Sequence, residues 1–307
     1  MLSEIHDAVL IYNPAAGRLR GRHREELNRA RATLRELSVE VALQETVGPG
    51  SATELARAAA LGGRKLVIAC GGDGTINEVV NGLAGSQVPM AVLPGGTANV
   101  LAKELGIPWD THHAARLVPG GTLRRIALGV ATWPDSSRPP RYFISLAGAG
   151  PDGQLVNAVD PSVKKRVGIL AYWAEGFKQL ATYSFPEFRV TTAERQGTAT
   201  LVVVGRTKHY GGPVRITTEA DLFSEQFEVL SVATRSRLRY ALNFTSLLLG
   251  MHRGRKENTF WKTSRVQCEA VNGSALYAQV DGEPIGRLPV EFRIVPDALT
   301  LVVPERP

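Results

Sequence analysis

Over its first ~125 residues the chain alternates between two periodicities. AVLIY (8–12), VEVALQET (39–46), KLVIAC (65–70) and PMAVLP (89–94) are short, apolar, β-capable runs. The segments between them have helical spacing. Arg20 to Leu37 carries Leu27, Ala30, Leu34 and Leu37 on one face and arginines on the other. SATELARAAAL (51–61) starts with Ser51 three residues before Glu54, a capping-box pattern. Residues 75–84 and 97–105 also read as helices. Strands alternating with helices predict a parallel sheet wrapped by helices. In such sheets ligands bind at the carboxyl ends of the strands.

The texture then changes. YFISLA, FRVTTA, TATLVVVGRT, FEVLSVAT, ALYAQV, LPVEFRIV and ALTLVV read as strands separated by turns, with helices near 161–182 and 236–250. The expected fold is an α/β nucleotide-binding domain over 1–125, followed by a β-rich, sandwich-like domain over 126–307. The last strand is free to pack back on the first domain. TWPDSSRPPR (132–141) is a polar, proline-rich loop rather than a long linker.

The chain is 44% hydrophobic and 21% charged over 307 residues, which suits an ordinary globular protein. No apolar run approaches the ~20 residues of a spanning helix, and the first residues lack a signal-peptide pattern. Cys70 and Cys268 fit no disulfide framework or metal spacing and read as buried thiols; a cytoplasmic setting follows as the expectation. A net charge of +7 admits nucleic acid, an anionic membrane or a polyanionic small substrate. The basic residues crowd at Arg18–Arg35, Lys164–Arg166 and Arg235–Lys256 without aromatic interleaving of the kind single-strand binders use, and no nucleic-acid motif is present, which disfavours nucleic acid.

Three strand ends carry similar chemistry: Asn13-Pro14-Ala15-Ala16-Gly17, Gly71-Gly72-Asp73-Gly74-Thr75 and Pro94-Gly95-Gly96-Thr97-Ala98-Asn99. In a parallel sheet they share one edge, and two lead into helices, whose first amides and positive dipole end face an anion there. Glycines let an anion touch backbone N–H groups. Thr75, Thr97 and Asn99 add side-chain donors. Asp73 would repel phosphate unless a divalent ion or a substrate hydroxyl lies between them. This is neither a P-loop nor a dinucleotide fingerprint.

GGDGTINEVVNGL followed by LPGGTANVLAKELGIP resembles the diacylglycerol kinase catalytic domain family, which includes bacterial lipid kinases and sphingosine kinases. Asn13-Pro14 and Gly17 resemble its first loop. Ser145-Leu-Ala-Gly148-Ala-Gly150-Pro-Asp152-Gly153 resembles its small-residue segment, Tyr210-Gly211-Gly212 its YGG element, and Asp281-Gly282-Glu283-Pro284 its DGE element. The resemblance implies ATP-dependent phosphorylation of a lipid hydroxyl in a cleft between two domains. It implies ATP contacts from Asn13, Pro14, Gly17, Thr46, Gly72, Asp73, Gly74, Thr75, Asn77, Gly96 and Thr97, a proton acceptor at Glu283, and a lipid head-group contact at Asp152. Two departures stand out. Val100 replaces an acid of many bacterial members, and Ser224 and Glu225 replace the aspartate and glycine of an element that supports a structural magnesium in some of them. Asp221 or Glu225 is the candidate to hold that ion instead, with loss of the site as the alternative.

The expected cofactors are thus ATP and Mg2+, with Asp73 as metal anchor and Glu283 as base, or with the roles exchanged. Arg18 and Arg20 read as solvated before they read as a phosphate clamp, and Asn77 and Asn81 as loop ties before nucleotide contacts. His112-His113 reads as a surface pair, since adjacent residues do not converge on a helix. Trp173 and Phe177 read as core. RSRLRYALNFTSLLLGMHRGRK (235–256) is a short apolar stretch between basic flanks, the candidate for peripheral contact with an anionic membrane. A homodimer is left open. The competing readings are a soluble-substrate kinase of the NAD kinase type and a non-catalytic paralogue.

Overall fold

The computed structural model describes residues 5–17, 23–135, 138–158, 182–211, 214–271, 273 and 275–305. Arg18, Arg20, Lys164–Arg166, Trp173, Phe177 and most of the helix expected at 161–182 lie outside them. The chain divides into two units. The first runs through Leu128 and resumes at Pro296; the second spans Gly129–Val295.

The first unit is the expected alternation. Its elements are β1 (Ile5–Tyr12), α1 (His23–Glu36), β2 (Val39–Glu45), α2 (Ser51–Leu61), β3 (Leu66–Gly71), α3 (Asp73–Leu83), β4 (Met90–Pro94), α4 (Val100–Glu104), α5 (Thr111–Arg116) and the start of β5 (Thr122–Thr132). The strand order β2-β1-β3-β4 is parallel throughout. β3 is buried at every position, as a strand covered on both faces must be. Val9, Leu10, Ile11, Leu66, Val67 and Ile68 have no exposed surface. The C-terminal part of β18 (Val290–Val303) joins this sheet in parallel, with Leu301 opposite Met90. The two last strands read from the sequence are thus one, interrupted only at Pro296-Asp297, where Asp297 takes φ 48°.

One local expectation fails. α2 has no capping box: Gly50 precedes it in a left-handed conformation, with no side-chain cap. Glu78 of α3 does the work instead, accepting from the Gly50 and Ala52 N–H groups at 2.8 and 3.0 Å. Ser51 Oγ turns back to the Val47 and Gly48 amides. A carboxylate is favoured at that helix end whichever element supplies it.

The second unit comprises β6 (Arg141–Phe143), β7 (Leu146–Ala149), α6 (Pro151–Ala158), β8 (Phe188–Thr191), β9 (Gln196–Ala199), β10 (Leu201–Gly205), β11 (His209–Gly211), β12 (Val214–Arg215), β13 (Phe227–Val232), α7 (Arg237–Leu248), β14 (Asn258–Thr263), β15 (Arg265–Ala270), β16 (Tyr277–Val280), β17 (Glu283–Arg287) and the start of β18. Six strands form an antiparallel sheet in the order β14-β13-β10-β7-β16-β17. β8 pairs with β9 and β15, and β15 with β18. Phe143 fills the core between Phe227, stacked at 5.7 Å, and Phe292, edge-on at 6.0 Å. Cys70 and Cys268 are both buried free thiols, and burial pushes Cys70 up to about 12 and Cys268 higher still.

Candidate active site

In the first unit the register places Tyr12 beside both Glu45 and Cys70, and Gly71 beside Pro94. The segments that follow β1, β2, β3 and β4 therefore leave the sheet at one edge. Their backbones bond to each other directly. Asn13 N–H donates to Cys70 O (3.1 Å), Thr46 N–H to Tyr12 O (2.9 Å) and Gly95 N–H to Gly71 O (2.8 Å). Side chains add two further ties: Asn13 Nδ2 donates to Thr75 Oγ1 (3.2 Å), and Asp73 Oδ1 accepts from Val100 N–H (2.7 Å). A Cβ on Gly96 would lie 2.5 Å from Gly72 Cα, and one on Gly71 would lie 2.7 Å from Thr75 Cβ. Glycine is required at Gly96 because the two loops pack backbone to backbone, and at Gly71 because the Thr75 side chain lies over it; bare backbone is the consequence. Gly17 also approaches the third loop, where a Cβ would sit 3.6 Å from the Thr97 methyl group.

These loops bring Asn13, Gly17, Thr46, Gly72, Asp73, Thr75, Gly96 and Thr97 together, but not all in the roles expected. Asn99, at φ 44°, accepts from Gly96 N–H (3.0 Å) and donates to Gly96 O (2.8 Å), with no exposed surface. It braces the third loop and offers no donor to a ligand, and it delays α4 to Val100. Asn77 is fully buried, and Asn81 Nδ2 donates to its carbonyl (2.8 Å) and side-chain oxygen (3.1 Å). It shapes the start of α3 from within. Thr97, by contrast, is exposed, and α3 opens without a side-chain cap. Lys103 was missed from sequence. Burial lowers its pKa while the Asp73 charge raises it, which puts an ammonium group in the field of this edge. The pair His112-His113 builds no metal site: His112 Nδ1 lies 2.6 Å from Thr33 Oγ1 and His113 Nδ1 3.1 Å from Asp110.

In the second unit the DGE element is the tip of the β16–β17 hairpin. Asp281 and Gly282 take φ 47° and 77°, the two positive values a tight two-residue hairpin requires. Asp281 anchors the tip, its carboxylate accepting from Ile144, Ser145 and Leu146 N–H, each at 2.9 Å. Glu283 opens β17 opposite Val280 and is half-buried.

Asp152, the expected head-group contact, is a buried carboxylate. It is 6% exposed, with one oxygen accepting from Tyr210 Oη and the other from Gln279 Nε2 (2.7 Å). Gln279 Oε1 in turn accepts from Gly282 N–H (2.8 Å), so the chain Asp152–Gln279–Gly282 ends beside Glu283. Burial raises the Asp152 pKa against the two hydrogen bonds. The small residues of its segment are packing requirements: a Cβ on Gly148 would fall 1.7 Å from Asp152 Oδ2, and one on Gly153 2.0 Å from Tyr277 O.

Family models match both parts of the chain. The diacylglycerol kinase catalytic domain covers residues 7–131, and the YegS C-terminal NAD kinase beta sandwich-like domain covers 145–303. Diacylglycerol kinase of Bacillus subtilis is 32% identical over 290 residues, 93% of this chain and 92% of the relative. This chain belongs to the diacylglycerol kinase family. A diacylglycerol kinase of Staphylococcus aureus is 29% identical over 289 residues, covering 93% of this chain and 88% of the relative. The crystal structure of a diacylglycerol kinase from Bacillus anthracis has the same fold, with a TM-score of 0.76 at 21% identity over 97% of each chain. At family level the chain is a lipid kinase.

A diacylglycerol kinase implies metal, and the two candidate anchors differ. Among the described residues no three His, Cys, Asp or Glu side chains form a metal cage. Mg2+ commonly binds through one or two carboxylates plus phosphate oxygens and water, so a single half-buried Asp73 beside a glycine cradle fits an ion that arrives with its nucleotide. Asp221 does not fit. Its Oδ1 accepts from Phe223 N–H (3.0 Å), Ser224 Oγ accepts from Gln226 N–H (3.1 Å), and the turn they form is already occupied by the guanidinium of Arg206. Among the described residues no helix is long and apolar enough to cross a membrane.

Proposed function

We propose that the chain transfers the γ-phosphate of ATP to the hydroxyl of a lipid, with a diacylglycerol-like or sphingoid-like alcohol as acceptor. The observation that carries this is the interlocking of the strand-end loops around glycines that no side chain could replace. Such an edge suits a polyphosphate: amides at the start of α3, the Thr97 hydroxyl, and the Lys103 ammonium group held in the field of Asp73. Asp73 would hold Mg2+ together with phosphate oxygens, and the ion would neutralise phosphate charge. The acceptor oxygen attacks the γ-phosphorus, the bond to the β-phosphate oxygen breaks, ADP leaves, and the acceptor proton passes to Glu283. Positioning supplies most of the rate in such a loose transition state, so proton transfer is late. Asn77, Asn99, Asp152 and Gln279 keep these groups in place.

A lipid acceptor requires contact with a bilayer, and α7 offers a surface for it. Of nine exposed large hydrophobic side chains among the described residues, five (Leu238, Leu242, Leu248, Leu249 and Met251) fall within fourteen positions, beside the exposed Arg235 and Arg237. The opposite face of α7 is buried through Tyr240, stacked on Phe185 at 3.8 Å, and Asn243, paired with Asn258. The decisive test is radiolabelled ATP with a panel of lipid alcohols. Label in the organic phase is the expected result. Label only in the aqueous phase would point to a soluble acceptor of the NAD kinase type, and none to a non-catalytic protein.

A further inference from the structure

Among the described residues Arg206 is the largest side chain with no exposed surface. It follows β10, where the run LVVVG reads as ordinary core, and nothing adjacent in sequence explains a buried cation. Its surroundings do. Nη1 donates to the Ser224 carbonyl (3.1 Å) and Nη2 to the Leu222 carbonyl (2.5 Å), both in the turn that joins β12 to β13. Nε is buried with no hydrogen-bond partner among the described residues. Burial pushes the group down to about 10, while Asp221 and Asp281 act to keep it charged. It therefore remains a cation at neutral pH, opposed by two carboxylates and two carbonyl dipoles.

The backbone at this point is equally committed. Arg206 N–H and Thr207 N–H both donate to Ser145 O, at 2.8 and 3.2 Å. The Asp281 carboxylate takes the amides on the other side of the same turn, at Ile144, Ser145 and Leu146. Thr217 Oγ1 donates to Thr207 O (2.8 Å), and a Cβ on Gly205 would strike that hydroxyl at 2.1 Å. The far end of the 217–226 turn is held by a second arginine, Arg253, which pairs with Glu219 at 3.2 Å and with the buried Glu228. An irregular turn rich in carbonyls and carboxylates is thus pinned by guanidinium groups, in the place where Asp221 was expected to hold a metal.

We propose that Arg206 is a built-in cation that takes the role of a structural divalent ion, joining the 217–226 turn to the Asp281 anchor so that the hairpin bearing Glu283 keeps its position without metal. Arg206 is then a positioning residue. A guanidinium suits the task because its planar fork reaches two carbonyls at once and its charge is not lost on burial. The proposal concerns the second unit alone, and its test does not read phosphoryl transfer, so its failure is separable from failure of the kinase reading.

The test is thermal unfolding of the full chain without nucleotide, in EDTA and in excess Mg2+, combined with hydrogen exchange of the Tyr277–Arg287 hairpin. The wild type should melt at the same temperature in both solutions; a rise of several degrees with Mg2+ overturns the proposal. Arg206→Met should speed hairpin exchange by about tenfold or more while β3 and β4 amides stay protected; unchanged hairpin exchange overturns it. Should that variant not fold, Arg206→Lys, which keeps the charge and loses the fork, carries the same measurement. Lysine should give exchange faster than wild type and slower than methionine where both can be measured, and lysine exchange equal to wild type overturns the claim for the fork.

Discussion

At the scale of single residues, Asp73 has two separable jobs. Its oxygen takes the Val100 amide, which an asparagine can also do, whereas its charge acts on Lys103 and, in the proposed mechanism, would hold the metal. Asp73→Asn should therefore keep the melting temperature and lose most phosphoryl transfer, with a weakened dependence on Mg2+ in a steady-state assay. Glu283→Gln removes the proposed base while keeping the side chain's size, so kcat should fall by about 10²–10⁴-fold with little change in KM for ATP. Equal activity in this variant would remove Glu283 from the mechanism. Asp152 makes a prediction about pH. Its carboxyl is raised in the folded protein, so the folded state binds its proton more tightly than the unfolded chain does. Stability from this group is then present at low pH and is lost as pH rises above the ordinary value of 3.8 through the raised one. Asparagine mimics the protonated acid, with an oxygen for Gln279 and an amide for the Tyr210 oxygen. Asp152→Asn should flatten that part of the pH–stability profile, which thermal melts across pH would detect.

The secondary elements show what a sequence can and cannot reveal. Strands and helices of the first unit were legible because each is a continuous apolar run or a clean helical face, and glycines mark the strand ends. The start of α2 was read at Ser51, but its cap was assigned to Ser51 and Glu54, since a local motif cannot disclose a carboxylate arriving from α3. Glu78→Ala should thus cost about 0.5–2 kcal/mol in chemical denaturation, while Glu54→Ala costs little. The third loop was read as helix from 97, and Asn99 in a left-handed turn prevented it. Asp-Gly between two β-capable runs was a hairpin signal in plain view. Arg206 and Gln279 were invisible, because a buried polar side chain is specified by partners far away in sequence. The helix expected at 236–250 is α7, and its exposed face carries its own prediction. Leu238→Glu with Leu242→Glu changes solvated positions, so folding should be nearly unaffected. Co-sedimentation with vesicles containing anionic lipid should drop sharply, and reversing Arg235 and Arg237 should weaken it by about 1 kcal/mol for each charge removed. Binding that ignores both changes would remove α7 from the membrane-facing surface.

At the scale of the whole chain, the two units are not consecutive stretches of sequence. The first unit is closed by residues that follow the second: Ala298, Leu299, Leu301 and Val302 are buried, Gly85 N–H donates to Ala298 O at 2.8 Å, and Arg125 reaches Thr300 Oγ1 at 3.1 Å. Gly121 is tied to the same strand, since a Cβ there would meet Val302 at 2.4 Å. Burying Leu299, Leu301 and Val302 is worth roughly 5–9 kcal/mol at ~1.5–3 kcal/mol for each side chain. That rivals the ~5–15 kcal/mol by which a typical domain is stable. A fragment ending at Leu128 should accordingly be unfolded or molten, although it contains every glycine loop. Restoring residues 296–305 through a short flexible linker should recover a cooperative thermal transition and, with Mg2+ present, ATP binding by calorimetry. A cooperative melt from the shorter fragment would show that the closing strand is dispensable. Recovery of the melt without ATP binding would instead separate folding of the first unit from its proposed nucleotide role, because the strand repairs the sheet beside β4 and supplies none of the proposed nucleotide-binding residues.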